Sequence, residues 1–337
     1  METPIPGAHK WLFWLILGAF STFFAEVFAG SDMFPFFNLW GIVIVWPLYG
    51  LHTIILTTII FRYGKPTLPV LIFAGMLFGL YEAYMTKVLW QPDWDVFVHI
   101  ADLAVFELFV LVFWWHTWLS FITPLLLSEQ LLTKSSYVLN GLSGKVRSFY
   151  TSWKGYLALV LFGGVFQSIN SPSIGLSLFS GISTVSFLFL LTWLWKRITN
   201  GRNYTLPDLL PSRKQFTVLS IWLAALYLFL GFAIYPERIP GPSGQGLILL
   251  FYLVLILLFI HSLRLSRRQE PPETAAVEIP LKRWLQIWLV FVITLVISRA
   301  VLGGVSNYVA LVFWLAGSVF GTGMFVYALK VLRKRPL

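Results

Sequence analysis

Ten apolar runs, each near twenty residues long, fill almost the whole of this 337-residue chain. They lie at 11–29, 39–61, 67–90, 97–119, 154–171, 174–195, 215–235, 245–263, 283–302 and 307–329. A helix rising about 1.5 Å per residue needs roughly 20 such residues to cross the hydrocarbon core of a bilayer. Lipid offers the backbone no hydrogen-bond partners, so spans of this length must be helices, whereas barrel strands need only about 10 residues. The expected fold class is all-α, a polytopic transmembrane bundle of about ten helices.

Composition closes off the alternatives. Hydrophobic residues make up 58% of the chain and charged residues 11%, against about 25% charged in a soluble domain. No stretch is left that can cover a water-facing surface. A net charge of +10 would suggest nucleic acid in a soluble protein. Here the basic residues sit in short clusters between apolar runs, so the membrane accounts for them and no nucleic-acid partner is expected. The absence of cysteine removes thiolate nucleophiles, disulfides and cysteine-ligated metals together. Residues Met1 to Lys10 lack the charge and cleavage pattern of a signal peptide, so the first run reads as a retained helix.

Orientation follows from lysine and arginine. With both termini in the cytoplasm, 21 of the 24 basic residues fall on the inner side, and Lys87, Arg238 and Arg299 remain outside. A wrong number of helices would scramble that alternation. The expected location is a prokaryotic cytoplasmic (plasma) membrane, crossed many times.

The connection at 131–153 divides the chain into a four-helix region, 1–130, and a six-helix apolar region, 154–337. A second connection at 264–282 carries Arg264, Arg267 and Arg268, then Glu270, Pro271, Pro272 and Glu273, and reads as a flexible linker. Ionisable groups concentrate in the first region: Glu26, Asp32, Glu82, Lys87, Asp93, Asp95, His99, Asp102 and Glu107. Within the last six runs there is little beyond Arg299 and His261. Intramembrane charges are costly and mark sites or pathways, so function is expected in residues 20–120.

Depth narrows the choice. From the expected helix ends, Glu82 lies about 12 Å below the outer surface, and Asp102 and Glu107 roughly 8 and 15 Å below it. Glu26 is near the outer end of the first helix. These four acids are the candidate catalytic cluster, because clustered carboxylates in a low dielectric cannot all stay ionised and can hold and release protons. Lys87, His52 and Arg299 are candidate substrate-binding residues. His99 and Asp102, three apart, would share a helix face and offer a pair of ligands to a divalent metal. Asp32, Asp93 and Asp95 read as solvated loop residues. His52 and His116 read as buried, hydrogen-bonded histidines, although a pair on two helices also fits axial haem ligation. The run Phe113-Trp114-Trp115-His116-Thr117-Trp118 reads as a packing or lipid-facing stripe.

Several motifs carry a resemblance. Residues 26–38 read EVFAGSDMFPFFN, Pro47-Leu48-Tyr49-Gly50 follows, then Gly79-Leu80-Tyr81-Glu82, Lys87 and Gln91-Pro92-Asp93-Trp94, and finally His116, Pro124 and Ser128-Glu129. In this order they resemble a group of uncharacterised bacterial and archaeal polytopic membrane proteins. Those share an acid-x₃-Gly-Ser start, a Tyr-Gly, a Gly-x-x-Glu and a His before a Pro, across residues 20–130. A fainter similarity links Glu82 and His116 to the CPBP intramembrane proteases, whose first motif glutamate is a base on water and whose histidines help form the site. This chain has Ala83 for the second glutamate of that motif, Lys87 for its arginine and Val112 for its phenylalanine. The expected depths also set Glu82 and His116 about 16 Å apart along the membrane normal, too far to share one water.

Three functions fit these residues. The first is a membrane-embedded hydrolase or lipid-modifying enzyme, acting on a lipid, lipid-linked or membrane-embedded substrate. The second is a proton-coupled transporter relaying through Glu26, Glu82 and Glu107. The third is a structural or assembly subunit of a membrane complex.

Overall fold

A computed structural model describes residues 5–96, 98–268, 277–302 and 306–334. Residues 270–273, 303, 304 and 335, on which parts of the sequence reading fell, lie outside the described residues. The chain forms α1 (Gly7–Val27), α2 (Gly41–Tyr63) and α3 (Leu68–Tyr84). A two-stranded hairpin, β1 (His99–Ile100) and β2 (Leu103–Ala104), precedes α4 (Val105–Leu132). Then come α5 (Tyr137–Gly141), α6 (Gly144–Thr151), α7 (Trp153–Asn170), α8 (Ile174–Thr199), α9 (Arg213–Ala233), α10 (Pro242–Ser266), α11 (Leu281–Leu302) and α12 (Ser306–Arg333).

The architecture is an all-α bundle. Among the described residues eight helices are long and apolar enough to cross a membrane: α1, α2, α4 and α8 to α12. The shorter α3 and the 18-residue α7 occupy the positions of two further apolar runs. Ten helices thus follow the ten runs in order.

Two boundaries depart from the sequence reading, and both matter for the site. The run 67–90 is helical only to Tyr84, with an interruption at Leu80. Beyond it Lys87 takes a left-handed φ of 62° and turns the chain away. The run expected at 97–119 begins instead at Val105 and continues to Leu132. Its first residues form the hairpin, with His99 paired to Ala104 and Ile100 to Leu103. Ala101 and Asp102 both have positive φ, 49° and 62°, as a tight two-residue hairpin turn requires. Val98, Ile100 and Leu103 keep the hairpin apolar, so hydropathy does not register the edge.

Three stretches are wound more loosely, with π-type i→i+5 bonding: Phe23–Val27 in α1, Gly41–Val45 in α2 and Leu108–Ile122 in α4. Pro124 sits one residue into the section where α4 returns to α winding, as expected of a residue that cannot donate a backbone bond. Single π turns recur at functional sites because they redirect side chains. Glu26 and His116 both lie in such stretches.

The contacts divide the chain into two units interleaved along the sequence. The first draws on residues 1–54, 123–211 and 271–312, the second on 55–122, 212–270 and 313–337. In the first unit, Phe20 and Phe23 of α1 and Phe28 just after it meet Trp284, Trp288 and Phe291 of α11 in edge-on and stacked aromatic contacts. Gly164 of α7 brings its helix against the α11 backbone at Phe291 and Leu295. Such small-residue crossings are how apolar helices associate where lipid is as apolar as leucine. The connection at 131–153 is held by Glu129, fully buried, whose carboxylate accepts from the backbone N–H of Val138 and Leu139 and from the Ser135 hydroxyl.

In the second unit α4 packs along α3. A Cβ at Gly75 would stand 2.7 Å from the Thr117 Cα, and one at Gly79 would stand 3.0 Å from the Val112 Cα and 3.1 Å from the His116 Cβ. The two backbones are therefore nearly in contact over one turn of α3. Tyr252 of α10 reaches the same region and donates its hydroxyl to the Leu80 carbonyl at 2.7 Å, satisfying an acceptor that the interruption of α3 exposes.

Candidate functional site

The close approach of α3 and α4 sets a carboxylate against an imidazole. Glu82 Oε1 lies 3.1 Å from His116 Nε2, with the side chains 8% and 3% exposed. His116 Nδ1 is 2.9 Å from the Leu111 carbonyl, a bond only an N–H can make. Nε2 is then the nitrogen that exchanges protons. In the neutral ring it accepts; in the imidazolium it donates to the carboxylate. The Tyr81 hydroxyl is 3.0 Å from the same Nε2, and the second carboxylate oxygen of Glu82 accepts from the Thr86 hydroxyl one turn on. Every polar atom of the pair thus has a partner. The arrangement can accept a proton, hold it and return it, away from water.

The expected separation of about 16 Å between Glu82 and His116 is overturned by this contact. The error lay in the helix ends. Starting α4 at Val105 instead of residue 97 moves His116 about 12 Å toward the end that carries Glu82, at 1.5 Å per residue. Ending α3 at Tyr84 moves Glu82 about 9 Å the same way, so the two shifts largely cancel. The estimate failed because it took the ends of α3 and α4 as level, whereas Gly75 packs on Thr117 and Gly79 on Val112 and His116. The argument from depth therefore no longer separates the two residues, while the departures at Ala83, Lys87 and Val112 stand.

A second polar cluster belongs to the other unit. Glu26 accepts from the Tyr49 hydroxyl at 2.6 Å on one carboxylate oxygen and from the Ser31 hydroxyl on the other. Gly30, at φ 72°, turns the chain so that Ser31 returns to the acid. A side chain at Gly30 would also meet the Asn170 Cβ at 2.8 Å. The four motifs of the resemblance thus resolve into two bonded pairs: acid-x₃-Gly-Ser with Tyr-Gly, and Gly-x-x-Glu with the histidine of α4.

The remaining candidates fall outside both clusters. Asp102 and His99, expected to share a helix face as metal ligands, are instead exposed on the hairpin, one in its turn and the other on β1. A strand-and-turn geometry does not give the i, i+3 alignment that the metal pairing assumed. Among the described residues no group of three or more His, Asp or Glu stands close enough to hold a metal ion. Glu107 is buried in the first turn of α4; one oxygen accepts from the Trp94 indole at 3.1 Å, and the other has no partner among the described residues. His52 directs Nδ1 to the Leu48 carbonyl at 2.8 Å. Arg299 donates to the Pro172 carbonyl at 3.0 Å.

Lys87, expected to hold an anionic group, is fully buried and donates to the carbonyls of Leu230, at 2.6 Å, Met85, at 3.4 Å, and Ile234. It closes the C-terminal end of α9, whose last carbonyls lack helical partners. Burial lowers its pKa from the ordinary lysine value, and Glu237 opposes the shift. Replacing Lys87 by methionine is expected to cost about 1.5–3 kcal/mol, the range for hydrogen bonds to a charged group. The unfolded chain holds this proton more tightly than the folded one. The stability difference between wild type and Lys87→Met should therefore grow as pH rises from the lowered pKa toward 10.5. Denaturant unfolding in detergent across that range checks both sign and size.

Sequence reasoning had Glu82 and His116 in hand but placed no weight on Tyr81 or Thr86. The i to i+4 spacing of Glu82 and Thr86 was the available signal. Of the tryptophan run, Trp114, Trp115 and Trp118 are buried, and Trp114 covers Gly317 of α12.

Comparison with known proteins extends the picture over the whole chain. Residues 15–334 match the model of a family described as an uncharacterized membrane protein family. A protein of Archaeoglobus fulgidus, described as an uncharacterized protein, is 34% identical over 324 residues, covering 94% of this chain and 96% of its own length. No solved structure matches the chain.

Proposed function

This chain belongs to that uncharacterised membrane protein family, and from that premise we propose that it is a membrane-embedded enzyme whose acid–base centre is the Glu82–His116 pair. The substrate is a lipid or a lipid-linked molecule of a prokaryotic cytoplasmic membrane. The observation that carries the reading is the 3.1 Å carboxylate–imidazole contact on buried apolar helices. Intramembrane ionisable groups are retained at a cost, and a pair able to pass a proton is what general acid–base chemistry needs. Glu82 takes the proton from a water or hydroxyl as that oxygen bonds to the substrate's electrophilic centre. His116 Nε2 receives that proton and returns it to the leaving oxygen as the old bond breaks. Tyr81 and the Leu111 carbonyl hold the ring in place. The pair is covered in this conformation, so catalysis requires an open state. The interruption at Leu80, two residues before Glu82, is where α3 can hinge.

One observation favours a second reading, a proton-coupled transporter. Glu107, nine residues before His116 on the same helix, is buried with an unpartnered oxygen among the described residues. A relay would use such a second carboxyl.

The test is turnover of labelled membrane lipids by the purified protein in liposomes, wild type against Glu82→Gln. General acid–base catalysis is worth about 10²–10⁴-fold, so a loss on that scale supports the enzyme reading. Equal turnover by the two proteins removes it. A flux that follows a pH gradient and fails in Glu107→Gln would select the transporter instead.

A further inference from the structure

The ends of α2 and α10 meet in the second unit. Their junction is stitched by polar contacts. The Lys65 amide donates to Ser266 Oγ at 2.9 Å, and Arg267 Nε donates to the Tyr63 carbonyl. A Cβ at Gly64 would stand 2.6 Å from Ser266 Oγ, so the two segments cannot slide. Beside the junction runs a groove of about 510 Å³. Its walls are Ile59, Phe259, Ile260 and Leu263, with Arg264 and Arg267 also in its lining. A second depression of about 290 Å³ shares both arginines and adds Arg268. Arg264, Arg267 and Arg268 are all exposed.

From this arrangement we infer a binding site for one anionic phospholipid, its acyl chain in the groove and its phosphate on Arg264 and Arg267. The argument is complementarity of two kinds at one place. An apolar channel on a membrane helix takes a hydrocarbon chain, and exposed arginines that border it take a phosphate through paired N–H donors. Arg267 is anchored through Nε, and among the described residues its two terminal nitrogens have no partner, so they form a fork that matches phosphate oxygens. Basic pockets between membrane helices recognise anionic headgroups in this way. A zwitterionic lipid has the same chains but brings its own cation to the arginines. The Lys and Arg distribution assigns the site to the cytoplasmic leaflet.

The experiment uses the full-length protein, delipidated in mild detergent, with phosphatidylglycerol or phosphatidylcholine of identical chains added. Native mass spectrometry counts bound lipid, and thermal melting follows stabilisation. Expected are one retained phosphatidylglycerol, a melting temperature raised by it, and neither effect from phosphatidylcholine. Each arginine neutralised should weaken binding about fivefold, near 1 kcal/mol per basic residue at a membrane surface. Arg264→Gln tests this without disturbing the Tyr63 contact, and Arg264→Lys should recover most of the loss. Equal retention of the two lipids overturns the assignment, as does full binding by Arg264→Gln. Stabilisation by glycerol phosphate to the same extent would also overturn it, since the groove would then be irrelevant.

Discussion

Leucine in place of His116 alone is expected to lower the unfolding free energy by about 3–5 kcal/mol, because it leaves a buried carboxyl facing an apolar side chain. Leucine in place of Glu82 alone should cost a similar amount for the complementary reason. The double variant Glu82→Leu/His116→Leu should cost less than either, since a buried pair exchanged for apolar side chains of similar volume is close to neutral. The difference between the double loss and the sum of the singles measures the coupling, and urea or thermal unfolding in a single detergent reads all four proteins. Additive losses would mean that the 3.1 Å contact has no energetic content. The double variant has a second use. It is the form in which fold and chemistry separate: folded like wild type, yet reduced in turnover by the 10²–10⁴-fold that general acid–base catalysis supplies. A folded double variant with full turnover would assign the pair to structure.

Gly75→Leu is expected to be the most damaging single change on α3, with a loss of at least about 3 kcal/mol, the upper end of the range for overpacking a filled interior. The first added carbon alone would stand 2.7 Å from the Thr117 Cα and 3.0 Å from the Thr117 carbonyl oxygen. Backbone atoms cannot rotate away, so α3 and α4 must part. Glu82 sits about two turns further along α3 and His116 is the neighbour of Thr117 on α4, so their contact should open with it. Gly246→Ala is the matched control. Nothing lies within 4 Å of a Cβ there, on α10, and alanine at a helical position should be neutral or stabilising by up to about 1 kcal/mol. The melting temperature should fall for Gly75→Leu and hold or rise for Gly246→Ala. If both fall together, the close approach at Gly75 is not what limits packing.

The difficulty of reading the site from the sequence is confined to where helices begin. Hydropathy registers that a segment is apolar, and residues 97–104 are nearly as apolar as the helix that follows them. The hairpin within that stretch, His99–Ala104, is set by two positive φ angles at Ala101 and Asp102, which no side chain there announces; an Asn-Gly pair would have. From that one boundary followed a chain of consequences. Asp102 and His99 were placed on a helix they do not join, and His116 was set about 12 Å too far below the start of its own helix at the usual rise. The motifs themselves were more informative than the depths. Gly79-x-x-Glu82 encodes a close helix approach followed by the acid it delivers, and Glu26-x₃-Gly30-Ser31 encodes a turn that brings a hydroxyl back to its carboxylate.

By itself the sequence determined the helical class and the membrane as solvent. Those depend on composition summed over about 20 residues, and a bilayer reads the same sum. It also marked the intramembrane acids, since charge in lipid is rare enough to notice one residue at a time. Only the tertiary structure decided which acid meets which partner. That choice is made by distances of a few ångströms between segments far apart in the chain, set by glycines at helix crossings and by where a backbone leaves its helix.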